Sequence, residues 1–269
     1  TNHLLFIDDL KLLAENEDNL KAMKEETKEF FSAVGLEMNR EKSATNCTGC
    51  QEDAVLLEGP QGYKYLGITE DSSSAIKRET FEKVKAEIIS RVDRLCMTKL
   101  NGVNMFRAIN EHAISVINYH IGLLKLEPAD YESLDLEIRQ VLIKHHIHLQ
   151  PACKERLYLP RKELGRGLVS IEHRSESMLL NMYNSLCGSR NSSLRRAAIL
   201  KVEEETKSHL SQILGYLKTK YGLESIITQK MLLESQKGKL YNEIKMRTNH
   251  GKLFKARDHE LVSIKGSST

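Results

Sequence analysis

A change in the spacing of the apolar residues near residue 73 constrains this chain more than any other feature of its sequence. Before that point, apolar residues come in short runs separated by turn residues, which is typical of strands and hairpins. After it they recur every three or four residues, as in Phe81, Val84 and Ile88, which predicts amphipathic helices. The sequence therefore predicts an α+β fold that is predominantly helical, with a small antiparallel sheet region and one helix followed by further helices.

A pair of aspartates lies between two short apolar runs near the start of the chain. The runs 3–7 and 10–14 flank Asp8 and Asp9, which predicts two strands joined at an Asp-Asp turn. Adjacent carboxylates repel each other and resist desolvation, and a bound divalent cation relieves both costs. The two aspartates are therefore candidate metal ligands. An ordinary solvated turn is the alternative, because Asp favours turns.

A lysine follows the next two predicted elements. Apolar residues at helical spacing over 20–34 end at Gly35, and the alternation over 36–39 predicts a strand just before Lys42. A lysine near a metal–phosphate site can protonate a leaving pyrophosphate, so Lys42 is a candidate general acid. An ordinary surface lysine is the alternative.

A second hairpin is predicted from the apolar runs 55–57 and 63–68 and the turn residues between them. Its last run contains Tyr65, Leu66 and Gly67, and the glycine permits the close approach of another backbone. An ordinary buried strand is the alternative interpretation of this run.

The charged residues are distributed unevenly along the chain. The formal net charge is +3, but residues 1–73 carry 7 basic and 15 acidic side chains, whereas 74–107 carry 8 and 4 and 151–201 carry 10 and 4. An acidic block followed by basic blocks favours a polyanion partner together with a region that holds cations. Solvated helix faces are the alternative explanation.

The richest basic segment spans 154–168 and interleaves cations with an aromatic ring and glycines. Arginine and lysine side chains in such a segment can follow a phosphate backbone. A solvated loop is the alternative. The candidate nucleic-acid-binding residues are Lys154, Arg156, Arg161, Lys162 and Arg166.

The cysteines and histidines give little support for a structural metal. Cys47 and Cys50 form a lone Cys-x-x-Cys, and the other three cysteines provide no second pair for zinc. His145 and His148 share a helix face at a predicted helix end, where a cation beside the helix dipole is the plainer interpretation. The odd number of cysteines, five, fits a reducing compartment.

The sequence also bears on the compartment. No apolar run approaches the roughly 18 residues of a membrane span, and no charged-then-apolar leader opens the chain. We therefore expect an intracellular protein that is not secreted and has no membrane partner. Because the chain begins at Thr1 without a methionine, we also expect a fragment of a longer protein.

Taken in order, these motifs resemble the reverse transcriptases of LINE-type (non-LTR) retrotransposons, in particular the site-specific lineage with a restriction-like endonuclease. Phe6-Ile7-Asp8-Asp9 resembles the family's aromatic-x-Asp-Asp turn. The segment from Gly35 to Lys42 resembles the next motif, and Tyr65 to Ile68 resembles the hairpin that grips the primer end. The helices that follow resemble the thumb, and the basic run 156–168 resembles the segment after it.

The resemblance covers about residues 3–175 and implies RNA-templated DNA synthesis with two Mg²⁺ ions. It implies that Asp8 and Asp9 bind the metals, that Lys42 is the general acid, and that Tyr65 to Gly67 position the primer 3′ end. An RNA template, a DNA primer and deoxynucleoside triphosphates are the implied partners. The nucleus is the implied place of action on chromosomal DNA.

The resemblance also implies a domain organisation, from which the chain departs at two points. It divides the chain into a partial palm over 1–73, a helical thumb over 74–150 and a basic linker with C-terminal helices over 151–269. Phe6 occupies a position that is often tyrosine, and only five residues precede it, although the family needs another aspartate on an earlier strand. We therefore expect the fingers and that strand to belong to a missing part of the parent, and these 269 residues alone not to extend a primer.

Two other functions are compatible with the sequence. A non-catalytic nucleic-acid-binding module derived from a retroelement keeps the thumb and the basic blocks without metal chemistry. A helical interaction protein has an incidental Asp-Asp turn and binds no nucleic acid.

Overall fold

The computed structural model describes residues 2–58, 61–72, 76, 78–124, 126–150, 152–191, 193, 209–224 and 226–248. Most of these residues are helical, and the strands form small two-stranded sheets. The prediction of a mostly helical chain with small sheets is therefore confirmed. In the described part of the chain, no helix is long and apolar enough to cross a membrane.

Three strand pairs lie in the first part of the chain. The hairpin of β1 (Asn2–Phe6) and β2 (Asp9–Leu13) is antiparallel. A short parallel pair follows, formed by β3 (Ala44–Thr45) and β4 (Val55–Leu56). The second hairpin, of β5 (Tyr63–Tyr65) and β6 (Ile68–Glu70), is again antiparallel.

The strand predicted over 36–39 is absent from the structure. The Asn39 side chain accepts a hydrogen bond from the backbone N–H of Lys42 at 3.1 Å, which caps a 3-10 helix over Arg40–Lys42. Asparagine favours such local side-chain-to-backbone bonds, and here the bond replaces strand geometry with a turn.

The pairing predicted between 55–57 and 63–68 is also wrong. The N–H groups of Val55 and Leu57 donate to the carbonyls of Ser43 and Thr45, at 2.9 and 2.8 Å. This uses the strand for the parallel pair β3–β4, so the small sheets are not all antiparallel. Residues 59 and 60 of the predicted turn lie outside the described residues.

The helices of the described residues begin soon after the first hairpin and dominate from residue 78 onward. They are α1 (Glu17–Ala33), α2 (Arg78–Cys96), α3 (Gly102–Ala108), α4 (Pro128–Lys144), α5 (Glu155–Tyr158), α6 (Ile171–Cys187), α7 (His209–Tyr221) and α8 (Gln229–Met246).

The chain divides into two compact units, Thr1–Glu82 and Lys83–Thr269. The first unit buries few apolar side chains, and α1 has no fully buried residue. The second unit holds most of the described core. Its fully buried large side chains include Ile88, Ile109, Ile114, Ile117, Leu134, Ile138, Leu142, Leu157, Leu159, Ile171, Leu180 and Leu217.

The segment after α3 changes its helical winding twice. A π turn over Ile109–Ala113 is followed by a 3-10 helix over Ile114–Tyr119, so its apolar residues form a less regular stripe than those of α2. Asn110 in the π turn holds a segment distant in sequence. Its Nδ2 donates to the Gly167 carbonyl at 2.8 Å, and its Oδ1 accepts from the Val169 N–H at 2.9 Å.

A buried carboxylate joins α4 to α6. Asp135 accepts hydrogen bonds from Ser170 Oγ (2.7 Å), Ile171 N (2.9 Å) and Glu172 N (3.2 Å). The first N–H groups of a helix have no partner within it, so Asp135 caps α6 from another helix. Burial raises the pKa of Asp135 to about 6, although these hydrogen bonds act in the opposite direction.

A charged cluster joins α6 to α7 and α8. Glu176 is buried and accepts hydrogen bonds from the Lys220 ammonium, from Tyr221 OH (2.8 Å) and from Gln236 Nε2 (2.8 Å). Lys220 also forms an ion pair with Glu172. A buried charge is tolerated only when it is paired and hydrogen-bonded, which is the case here.

Candidate active site and nucleic-acid interface

The Asp-Asp hairpin ends in a tight turn whose backbone is strained. Phe6 pairs with Asp9, which leaves Ile7 and Asp8 as a two-residue loop. Ile7 has φ +58°, a conformation that β-branched residues rarely adopt, and its side chain is 84% exposed. An isoleucine therefore occupies a position suited to glycine, as Leu66, His146 and Leu164 also do.

Both candidate metal ligands lie at the exposed end of this hairpin. Asp8 is in the turn and Asp9 begins β2, and both residues are exposed. Exposed carboxylates at a turn are accessible to a cation and to a phosphate ligand. Within the described ranges, no three His, Cys, Asp or Glu side chains are grouped closely enough to hold a metal.

The second hairpin closes with a two-residue turn of a type that is common in β-hairpins. Tyr65 pairs with Ile68, and the loop residues Leu66 and Gly67 have φ of +46° and +83°. Two positive φ values in succession define the type I′ turn, which matches the twist of the strands. Gly67 adopts this conformation without strain, whereas Leu66 does so at a cost.

The structure brings the two hairpins together. Tyr65 OH donates to the Leu4 carbonyl of β1 at 3.3 Å, and Lys11 Nζ lies 5.5 Å from the centre of the Tyr65 ring. Lys11 of β2 also forms an ion pair with Glu70 of β6. Tyr65, the first of the predicted primer-positioning residues, therefore contacts the hairpin that carries the two aspartates.

Tyr63 connects Lys42 to the same hairpins. Its hydroxyl donates to the Lys42 carbonyl, and burial together with the nearby Asp9 charge raises the pKa of Tyr63. The Lys42 side chain is exposed. The sequence prediction missed Tyr63 and Lys11 as site residues. The alternation of Tyr63 and Tyr65, which places both rings on one strand face, was the available signal for Tyr63.

The predicted basic segment folds into a compact loop that contains α5 and a 3-10 helix over Arg161–Glu163. Its leucines at 157, 159 and 168 are buried, and its backbone closes on itself through Gly167 N to Leu159 O (2.9 Å) and Leu168 N to Leu157 O (2.8 Å). A rigid loop presents its surface side chains in a fixed arrangement. The exposed predicted residues are Lys154, Arg161, Lys162 and Arg166.

Arg156 differs from the other predicted cations of this loop. Its Nε and one terminal nitrogen both donate to the Leu164 carbonyl, at 3.2 and 2.8 Å. Leu164 has φ +59°, so the arginine holds a loop residue in the left-handed conformation. Arg156 therefore has a structural role in the loop whether or not it contacts a ligand.

The acidic residues of the same segment contact α8 and Arg247, the residue that follows α8. Glu155 is buried and accepts from Cys153 Sγ and from the Arg247 guanidinium, each at 3.0 Å. Burial acts to raise the pKa of Glu155, but these hydrogen bonds outweigh it and hold the pKa below its usual value. Glu163 pairs with Lys237 at 3.3 Å and accepts from Tyr241 OH.

The histidines and cysteines singled out in the sequence lie in different surroundings. His145 Nε2 lies 2.9 Å from Asp93 Oδ1, which Lys144 also contacts. His148 is buried, and burial with the nearby Arg139 charge lowers its pKa. All five cysteines are free thiols, including Cys47 and Cys50.

Two comparisons with known proteins found no match. No protein-family model matches the chain, and no curated protein sequence matches it.

Proposed function

We propose that this chain is part of an RNA-directed DNA polymerase of the reverse-transcriptase type, which binds a template–primer duplex and extends the primer by two-metal phosphoryl transfer. The observation that carries the proposal is the contact of Tyr65 in the second hairpin with Leu4 and Lys11 of the Asp-Asp hairpin. The contact between Tyr65 and Leu4 spans 61 residues of sequence. Chemistry on a primer end requires the acidic residues and the primer-positioning segment to lie at one place, and this contact supports such an arrangement.

The donor chemistry of the turn fits Mg²⁺. This ion takes oxygen ligands from one or two carboxylates and from substrate phosphates, and Asp8 and Asp9 are exposed carboxylates. Bound Mg²⁺ would stabilise the charge on the attacking and leaving oxygens. Lys42, on the segment that Tyr63 holds, would donate a proton to the leaving pyrophosphate.

The outer edge of β1 is where this proposal places a further strand of the palm. Among the described residues β1 pairs with β2 alone, and its apolar side chains Leu4, Leu5 and Phe6 are exposed. A strand edge with exposed apolar residues is suited to the addition of another strand. A strand of the parent protein that carries the family's further aspartate would complete both the sheet and the metal site.

The decisive experiment measures whether Mg²⁺ strengthens binding of a template–primer. Fluorescence anisotropy of an RNA–DNA template–primer with a matching deoxynucleoside triphosphate is followed with and without Mg²⁺. We expect Mg²⁺ to tighten binding by the wild-type chain and to have no effect on Asp8→Asn. The matched control Asp18→Asn, which removes another exposed carboxylate of the same unit, keeps the Mg²⁺ effect. An identical Mg²⁺ effect in Asp8→Asn and wild type would contradict the proposal.

The second candidate function is a nucleic-acid-binding module without metal chemistry. The observation that favours it is the basic loop, which exposes its cations while its two acids pair with Lys237, Tyr241 and Arg247. This function predicts salt-dependent binding that does not respond to Mg²⁺. Absence of binding at about 50 mM salt would favour the helical interaction protein instead, because phosphate contacts are strongest at low salt. Both nucleic-acid functions go with an intracellular, nuclear place of action.

A further inference from the structure

Two cysteines of the first unit are held side by side in a single turn. Cys47 precedes a 3-10 helix over Thr48–Cys50, and the Cys50 N–H donates to the Cys47 carbonyl at 3.2 Å. Cys47 is the residue just before this turn and Cys50 is its last residue, so a single turn of the chain joins the two thiols.

Helix α1 covers this turn with charged side chains. Glu17 forms an ion pair with Lys21 at 2.7 Å, and the ammonium groups of Lys21 and Lys24 lie close enough to act on the Cys50 thiol. Burial and the Cys47 thiol nevertheless raise the pKa of Cys50 overall. The half-buried Cys47 thiol is therefore more accessible to a reagent in solution than the buried Cys50 thiol.

The contact between α1 and this turn is close. A Cβ atom added at Gly49 would lie 1.9 Å from a Glu17 carboxylate oxygen and 2.5 Å from Lys21 Cε. The side chains of α1 therefore pack directly on the turn, and the cationic groups are held beside the thiols by the fold. Lysines beside a thiol favour its thiolate, and here they act against the burial that raises the pKa of Cys50.

The remaining cysteines lack this arrangement. Cys96 is buried, and burial raises its pKa to about 11. Cys153 is buried and donates to Glu155. Cys187 is half-buried at the end of α6 and has no second cysteine near it in sequence.

We propose that Cys47 and Cys50 form a redox-active dithiol, which a small-molecule disulfide such as glutathione disulfide converts to an intramolecular disulfide. The Cys47 thiolate attacks one sulfur of the reagent, forms a mixed disulfide and releases one thiolate. The Cys50 thiolate then attacks Cys47 Sγ and displaces the second thiolate. Two protein thiols are oxidised by two electrons, one disulfide reagent is reduced to two thiols, and the two protons pass to the released thiolates.

The test uses the full chain and mass spectrometry. The chain is incubated with glutathione disulfide, its remaining thiols are blocked with N-ethylmaleimide, and it is digested with trypsin. Cleavage after Lys42 and Lys64 places both cysteines in one peptide, residues 43–64. We expect this peptide to lack two hydrogen atoms and both maleimide groups, so the chain loses two of its five thiols before any other cysteine reacts.

Single substitutions separate the two roles. Cys50→Ser should retain glutathione on Cys47, because the second thiol that releases it is absent. Cys47→Ser should leave Cys50 unmodified, and the control Cys187→Ser should form the 47–50 disulfide at the wild-type rate. Circular dichroism confirms that each variant is folded.

Three outcomes would overturn the proposal. One is a 43–64 peptide that keeps both thiols after Cys187 has reacted. Another is a Cys50→Ser variant without a glutathione adduct. The third is a purified chain that holds one zinc ion per pair and resists oxidation, which would make the pair a metal site. None of these outcomes concerns the Asp8–Asp9 turn, so this inference and the polymerase proposal succeed or fail separately.

Discussion

The carboxylate that joins α4 to α6 predicts how the stability of the second unit depends on pH. Asp135 is 3% exposed and caps α6 through three hydrogen bonds. The substitution Asp135→Asn keeps the shape of the side chain and removes its titration. Any pH-dependent difference in the free energy of unfolding between the wild type and this variant therefore reports on Asp135.

The sign and size of that difference follow from the pKa of the buried group. The folded pKa of Asp135, about 6, lies above its ordinary value of 3.8. Its contribution to stability is therefore fully present below pH 3.8 and is lost as the pH rises through 6. Between pH 7 and pH 5 the folded group gains most of one proton that the unfolded chain does not bind. One pKa unit corresponds to about 1.4 kcal/mol, so the wild type gains on the order of 1 kcal/mol over Asp135→Asn on going from pH 7 to pH 5.

Urea denaturation followed by circular dichroism at both pH values measures this gain. The matched control is Glu132→Gln, which makes the same carboxyl-to-amide change at an exposed position of α4. We expect the control to show a far smaller pH-dependent difference from the wild type. Equal differences between wild type and Asp135→Asn at pH 7 and pH 5 would refute the reasoning, because they would mean that Asp135 does not titrate in this range.

Three other substitutions test the loop, the charged cluster and the nucleic-acid surface. Gly165→Ala adds a Cβ only 1.8 Å from the Leu159 carbonyl oxygen, so thermal denaturation should show a loss of about 1–3 kcal/mol. Lys220→Met leaves the buried Glu176 without its cation and should cost about 3–5 kcal/mol in urea, part of which returns when Glu176 is also replaced by Gln. Arg166→Ala should lower the slope of log K against log salt for RNA–DNA duplex by about 0.7–0.9, and an unchanged slope would show that Arg166 contacts no phosphate.

The helices were predictable because each depends on a local pattern. The stripe that includes Phe81, Val84 and Ile88 lies within α2, and those three side chains are buried. Pro128 opens α4, where a proline without an N–H costs the helix nothing. Local spacing is sufficient in these cases, because the buried face follows from the helical period.

The pairing of the short strands was less predictable. The alternation at Val55 and Leu56 is compatible with either a hairpin to the next run or a parallel pair with an earlier one. The outcome depends on which carbonyls lie within reach, and those of Ser43 and Thr45 follow directly after the 3-10 turn that Asn39 caps. A two-residue strand has too few side chains for its partner to be recognised from pattern alone.

The elements of the candidate site were predictable only in part. The hairpin that carries Asp8 and Asp9 forms as predicted, whereas Tyr65 lies in a hairpin with β6 and not with residues 55–57. The ion pair of Lys11 with Glu70 joins residues 59 positions apart, and no local pattern indicates it. Such contacts depend on how two hairpins pack, which sequence spacing does not reveal.

The fold shows where the acidic side chains of the basic segment 151–201 find their partners. Residues 151–201 contain four acidic side chains, which a count along the sequence subtracts from the basic ones. In the structure each of the four has a partner in α7, in α8 or just after it. These partners are Arg247 for Glu155, Lys237 and Tyr241 for Glu163, Lys220 for Glu172, and Lys220, Tyr221 and Gln236 for Glu176. Of the loop's own cations, Lys154 lies 4.0 Å from Glu155. In the proposed nucleic-acid interface, helices α7 and α8 would therefore act by holding the acids of the segment, which lowers the charge that opposes a phosphate backbone.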